Sequence, residues 1–352
     1  MYNGGEQIWR VGGVMDSESV AIEEFYFQWH ITERCNKHCC HCYQNARPMA
    51  ELPLVDLQLV LRRMDEALVK WDRKGSLSFT GGEPLVRQSE LFTLMNQVDH
   101  LDSFLFYDIL TNGSLISDDI ARALKNQRKL GRVQVSLEGS RPAINDAIRG
   151  DGSYAETLGA IRSMKKQGLT VGVMTTISRM NYRDIAALVE TLDNEGVDVF
   201  SMERLIPEGR GELLRDQLLR PEELRELYED IYEMALQKKN IRILMYRPLF
   251  TLVAPDDSNV GALCSAGNNA LTVMPDGTVY PCRRLPIPIG NILTDGLFAI
   301  WYDSEVLWRI RNPESIQGKC HDCELLPNCR GCRAMAYFCS GDYMAEDPQC
   351  WR

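Results

Sequence analysis

Phe25-Tyr-Phe-Gln-Trp-His-Ile-Thr32, followed shortly by Cys35-Asn-Lys-His-Cys39-Cys-His-Cys42, is the stretch from which the rest of the chain is read. The apolar run predicts a strand, and the cysteines follow it in a tight loop with C-x3-C-x2-C spacing. Three thiolates so close together can hold one face of a four-iron four-sulfur cluster, whose irons are normally carried by cysteine. The fourth iron then lacks a protein ligand, and a small molecule can coordinate it. Cys40 breaks neither spacing and reads as a bystander. A zinc loop and a disulfide knot are the plainer alternatives. Zinc loops usually pair C-x2-C with a distant second half, and a three-thiol C-x3-C-x2-C makes an awkward tetrahedral set.

The 352 residues suffice for one large and one small domain, and 45% apolar with 25% charged residues is an ordinary globular composition. No apolar run reaches the ~20 residues of a membrane span. The start, polar from Asn3, has neither the basic end nor the apolar core of a signal peptide. A cytoplasmic protein without a membrane partner is expected. The net charge of −10 gives no global attraction to phosphate backbones, so no nucleic-acid partner is expected either. Twelve cysteines in such a chain argue for metal thiolates rather than disulfides. Four lie between Cys35 and Cys42, none from residue 43 to 263, and eight between Cys264 and Cys350.

Between those two fields the chain alternates strand-like and helix-like segments. Strands are expected at Phe25–Thr32, Ser76–Thr80, Phe104–Thr111, Val133–Leu137, Leu169–Ile177 and Val197–Leu205. Helices are expected at Leu54–Trp71, Asp118–Lys125, Tyr154–Gln167, Tyr182–Asn194 and Pro221–Lys238. Six such units in series imply parallel strands with right-handed crossovers, an α/β fold curling into a partial (β/α)6 barrel. The cysteine loop, Gly81-Gly82-Glu83-Pro84, Thr111-Asn-Gly, Ser136-Leu-Glu-Gly and Pro207-Glu-Gly-Arg all fall just after strand ends, so they share one rim. The division expected is an arm over residues 1–24, the barrel over 25–240, and a bridge with a cysteine-rich domain over 241–352. The last, poor in periodicity, reads as held by metal rather than by a core.

The cysteine loop, with His41 just before its last cysteine, resembles the signature of the radical S-adenosylmethionine (SAM) superfamily, whose barrel is TIM-like. That resemblance implies that Cys35, Cys39 and Cys42 hold a catalytic four-iron cluster, with His41 beside the bound SAM. It implies that Gly81, Gly82 and Glu83 receive the SAM amino group, and that Ser136 and Arg149 hold its carboxylate. Read bare, two glycines let a backbone approach a ligand closely, the Glu83 carboxylate suits an ammonium group, and an arginine fork suits a carboxylate. A plain turn and a solvated arginine are the bland readings of the same residues. Thr111-Asn-Gly, Asn181 and the Pro207–Arg210 turn match what many relatives carry at these strand ends, as pocket residues. The chemistry implied is reductive cleavage of SAM to a 5′-deoxyadenosyl radical, which abstracts hydrogen from an unactivated carbon.

The second field resembles the SPASM extension, which houses two auxiliary four-iron clusters. Carried over by order, Cys264, Cys282 and Cys332 bind the first, and Cys320, Cys323, Cys329 and Cys350 the second; Cys339 reads as a bystander. The count implied is three clusters. On its own, Cys320-x2-Cys323 with Cys329-x2-Cys332 also suits a structural zinc. One departure is the two residues, Arg330 and Gly331, that precede the sixth cysteine where the usual pattern has three. Relatives of this kind modify peptides and proteins by crosslinking, oxidation or epimerisation; another branch works on tetrapyrroles. A peptide or protein substrate is favoured, tetrapyrrole the alternative, with a ferredoxin or flavodoxin as electron donor. A non-catalytic metal scaffold is the reading from another class, against which Glu83, Ser136 and Arg149 stand. Arg283-Arg284 after Cys282 replaces the acidic residue of sulfatase-maturing relatives, and suits either substrate carboxylates or a solvated pair.

Overall fold

The computed structural model describes residues 24–44 and 49–352. The arm expected over residues 1–24 therefore lies, except for Glu24, outside the described residues. β1 (Phe25–His30) buries Phe25, Phe27 and Trp29 completely, and its alternate residue Tyr26 has Ser78, Asp108 and Arg132 as electrostatic neighbours across the inner face. α1 (Leu54–Lys70) seats Leu57, Val60, Leu61, Met64 and Leu68 on the outer side, at the helical spacing read from the sequence.

The alternation continues with β2 (Gly75–Thr80), α2 (Gln88–Val98), β3 (Phe104–Thr111), α3 (Asp118–Lys125) and β4 (Leu130–Ser136). After these come α4 (Pro142–Arg149), α5 (Ser153–Lys166), β5 (Val171–Ile177), α6 (Ile185–Asn194), β6 (Val199–Arg204) and α7 (Pro221–Gln237). Strands β1 to β6 pair in order and all in parallel, as a partial barrel requires. Two helices were not anticipated. α2 buries Leu91, Leu94, Met95 and Val98, a spacing that the sequence does display. α4 is short, opened by Pro142 at its first turn, and too brief to show a period.

Strand pairing continues past the boundary expected between barrel and cysteine-rich domain. β7 (Arg242–Ile243) adds to β6, and β8 (Ala270–Val273) adds in parallel to the free edge of β1, followed by antiparallel β9 (Thr278–Tyr280) and β10 (Gly290–Asn291). One ten-stranded sheet results, in the order β10-β9-β8-β1-β2-β3-β4-β5-β6-β7. Side chains from this extension and from α8 (Leu297–Asp303) and α9 (Glu305–Arg311) join the main apolar core: Leu271, Val273, Val279, Leu297, Trp301 and Leu307. Trp301 meets Phe25 edge-on at 4.9 Å between ring centres. Two small clusters lie apart from that core, one joining Ile206, Leu285 and Ile310 to Ala334 and Met335 of α10 (Arg333–Ser340), the other made of Ile316, Cys320 and Met344. No helix among the described residues is long and apolar enough to cross a membrane.

Candidate functional site

The cysteine loop leaves β1 and is held by backbone from three other rim segments. Gly82 N donates to Thr32 O and Glu83 N to Arg34 O, both at 2.8 Å. A Cβ on Gly81 would stand 2.4 Å from Thr32 O, and one on Gly82 2.2 Å from Arg34 O. The two glycines are therefore required by the approach of the cysteine loop itself, whatever else they receive. Cys40 N donates to Ile148 O at the end of α4, while Arg210 N and Gly211 N both donate to Cys42 O. The Arg210 side chain reaches Cys39 O at 2.9 Å, giving the Pro207–Arg210 turn a bracing role.

Glu83 is tied into the fold by its side chain. Its carboxylate is fully buried and accepts from Thr111 Oγ1, Asn112 N and Leu85 N, at 2.7 to 3.1 Å. Burial pushes its pKa up, and these donors offset part of that. The side chain locks β2 to β3, leaving the motif's backbone to face a ligand. Asn112 in turn points Nδ2 at Cys35 Sγ, 3.8 Å away, and at Asn36.

Arg149 is no solvated arginine. It is 7% exposed and its guanidinium donates to Glu138 Oε1 at 2.9 Å, with Cys39 and Cys35 as close electrostatic neighbours. His41 Nε2 stands 3.6 Å from the same Glu138 oxygen, and burial pushes the ring down to about 3, so it is neutral. Glu138, quoted in the rim motif without a role, is thus what orients both residues. Ser136 ends β4 half-buried, its hydroxyl without a hydrogen-bond partner among the described residues. Asn181 is spent on structure, donating to Glu138 O and Thr176 O to tie the ends of β4 and β5 together.

All twelve cysteines are free thiols. In the second field, Cys320, Cys323, Cys329 and Cys350 line one pocket, together with Asp347 and Gly331. Cys264, Cys282 and Cys332 form a separate group around the Arg284 guanidinium. Among the described residues no three His, Cys, Asp or Glu side chains converge tightly enough for a single metal ion. Backbone N–H groups aim at sulfur in both fields: Lys37 N at Cys35, Gln44 N at Cys42, and Gly331 N at Cys329, at 3.4 to 3.5 Å. Thiols ringing a space, with amides directed at their sulfurs, fit a cluster of several irons. Burial pushes Cys264 up to about 11 and Cys329 up to about 12, and each must lose its proton to bind metal.

The shortened loop before Cys332 has a visible consequence. Arg330 (φ 58°) and Gly331 (φ 59°) are both left-handed, and Arg330 is held there by its guanidinium on Arg311 O at 2.9 Å. A Cβ on Gly331 would meet Asp347 Cβ at 2.6 Å. Asp347 itself was missed in the sequence. Fully buried, it takes a two-pronged pair from Arg204 at the end of β6 (2.9 and 2.7 Å) and accepts Cys332 N at 2.8 Å. No local pattern marks it, because its partner lies on a barrel strand. Cys339 packs its sulfur on Met335, and Cys40 faces Ala147 O, as befits bystanders.

Arg283 and Arg284 are not the solvated pair of the bland reading. They diverge: Arg283, 4% exposed, faces Glu208 at 3.5 Å and stacks over the Tyr43 ring, whereas Arg284 pairs with Glu203 of β6 at 2.7 Å. Burial pushes Glu208 up to about 7 despite Arg283. One arginine therefore ties the C-terminal region to the cysteine loop, and its neighbour ties it to the barrel.

Comparison with known proteins bears on this geometry. The radical SAM superfamily model matches residues 29–192, and an iron–sulfur cluster-binding domain model, SPASM, matches residues 264–333. The mycofactocin maturase MftC of Mycolicibacterium smegmatis is 30% identical over 343 residues, covering 92% of this chain and 81% of that protein. An AdoMet-dependent heme synthase of Methanosarcina barkeri is 28% identical over 343 residues, covering 92% of this chain and 95% of that protein. Among solved structures, Streptococcus suis SuiB bound to S-adenosylmethionine superposes with a TM-score of 0.74 at 20% identity, over 94% of this chain and 77% of SuiB.

Proposed function

This chain belongs to the radical SAM superfamily and carries a SPASM domain, and on that premise we propose that it modifies a peptide or protein substrate. It is an enzyme, and its two matched domains bind iron–sulfur clusters and SAM. The observation that carries the proposal is the C-x3-C-x2-C loop, braced on the barrel rim by three other segments beside the buried Arg149–Glu138 pair. When bound, cluster and SAM supply a 5′-deoxyadenosyl radical that takes hydrogen from an unactivated carbon.

The protein's own part is position and exclusion of water. Cys35, Cys39 and Cys42 hold the catalytic cluster. The backbone of Gly81–Glu83 and the free hydroxyl of Ser136 face the nucleotide, and Arg149, kept in place by Glu138, contributes its charge beside the triad. Cys264, Cys282 and Cys332 hold a first auxiliary cluster and Cys320, Cys323, Cys329 and Cys350 a second, with a ferredoxin or flavodoxin as electron source. The relative named as mycofactocin maturase supports modification of a peptide, by crosslinking, oxidation or epimerisation. A second reading, tetrapyrrole modification, is supported by the heme synthases, one of which this chain matches over 95% of its length.

The test is anaerobic reconstitution, reduction with dithionite and chromatography for 5′-deoxyadenosine. Formation of 5′-deoxyadenosine is expected; a fully reconstituted protein that makes none refutes the proposal.

A further inference from the structure

The inner face and rim of the barrel carry five carboxylate–guanidinium groupings, and four of them balance one for one. Asp108 pairs with Arg132, Glu138 with Arg149, Glu208 with Arg283, and Asp347 with Arg204. The fifth does not balance. Glu203, at the C-terminal end of β6, places one oxygen on Arg284 at 2.7 Å and the other on Arg247, so two guanidinium groups share one carboxylate.

These arginines arrive from opposite sides: Arg247 follows β7 alongside β6, and Arg284 follows Cys282. Neither guanidinium has another ion pair among the described residues, so most of its N–H groups are unspent. They also remain reachable. Arg247 is 43% and Arg284 21% exposed, against 7% for Arg204 and 4% for Arg283. The two guanidinium groups, forks shaped for carboxylates, bring their positive charge to the barrel rim with a single side-chain carboxylate between them. Cys264, Cys282 and Cys332 are the electrostatic neighbours of Arg284, so the charge lies between the barrel rim and the first auxiliary thiol group.

We propose that Arg247 and Arg284, held at the barrel mouth by their shared Glu203, anchor a carboxylate of the substrate. This deepens the proposed function and rests on it. The carboxylate comes either from a peptide chain end or from the propionate of a tetrapyrrole; the recognising chemistry is the same. Arg283, which the sequence offered for this task, is excluded from it by its own partner Glu208.

The test uses full-length reconstituted protein and equilibrium dialysis against two pairs of probes. One pair is a pool of octapeptides lacking Asp and Glu, with free or amidated C-termini. The other is iron coproporphyrin III and its tetramethyl ester. One acid form is expected to bind about tenfold or more tightly than its capped partner, a difference of about 1.4 kcal/mol, and the pair that does so identifies the source. Arg247→Gln, at the more exposed fork, should erase that preference, and Arg284→Gln should do the same. Glu203→Gln should enlarge it by freeing both forks. Equal binding of acid and capped forms, no binding of either acid, or a preference that survives both arginine replacements would each overturn the anchor. 5′-Deoxyadenosine formation by the unsubstituted protein without probe separates the two failures. If it forms while no acid preference appears, the anchor alone is wrong; if it does not form, the enzymatic reading beneath the anchor has failed as well.

Discussion

The two cysteine fields are built by opposite means. The loop of Cys35, Cys39 and Cys42 hangs on backbone hydrogen bonds from the segment after β2, the end of α4 and the segment after β6, beside a sheet with a continuous apolar core. The tail bearing Cys320, Cys323, Cys329 and Cys350 has small apolar clusters, a left-handed Arg330, and one buried ion pair back to the barrel, Arg204–Asp347. The first field is shaped before metal arrives, because its donors and acceptors are paired by the fold. The second has fewer such ties, and on the proposed function metal is expected to complete it.

The largest expected effect separates the fields outright. Replacing Cys35, Cys39 and Cys42 together with Ala should reduce 5′-deoxyadenosine to background while the auxiliary iron absorbance persists; loss of all iron would mean that the fields assemble as one. Iron analysis sharpens the same point. Three clusters predict about 12 irons per chain, and a preparation holding about four irons and one zinc would remove the auxiliary clusters from the comparison.

Next in size is Asp347→Ala, which leaves Arg204 buried without its partner and Cys332 N without its acceptor. A cost of about 3–5 kcal/mol is expected, measured as a lower urea midpoint under anaerobic conditions with auxiliary iron lost first. Simultaneous loss of the SAM-site iron would contradict the independence of the two fields. Gly82→Ala should act on the other field alone. Its Cβ would stand 2.2 Å from Arg34 O, so the cysteine loop must shift, at a cost of about 1–3 kcal/mol, with SAM cleavage falling and auxiliary iron unchanged. The smallest effect is the control: Arg225→Ala removes an exposed α7 ion pair with Glu229, and neither stability nor iron content should change measurably.

Much of this was legible in the chain because the chemistry demands neighbours in sequence. Thiols that share a cluster face must lie on one short loop, so Cys35, Cys39 and Cys42 are read directly. The strands and most helices follow from periods of two and 3.6 residues, and the rim motifs follow from where those periods stop. Asp347 was invisible because nothing local distinguishes it from any other acid near a chain end. The contribution of β8 to the barrel edge was equally hidden, since four residues show no period and pairing with β1 is decided by packing.

Glu83 marks the dividing line most clearly. The letters Gly-Gly-Glu-Pro suit a ligand-facing turn, and only the folded chain shows the carboxylate accepting from Thr111 and Asn112. Arg283 and Arg284 divide the same way: adjacent in sequence, they end on Glu208 and Glu203 at different places on the rim. By itself the sequence determined the metal chemistry, the alternation of elements and the shared rim, all consequences of short-range spacing. Which charges are spent and which remain available was decided by tertiary structure alone, because ion pairing depends on distances between residues that the chain order leaves free.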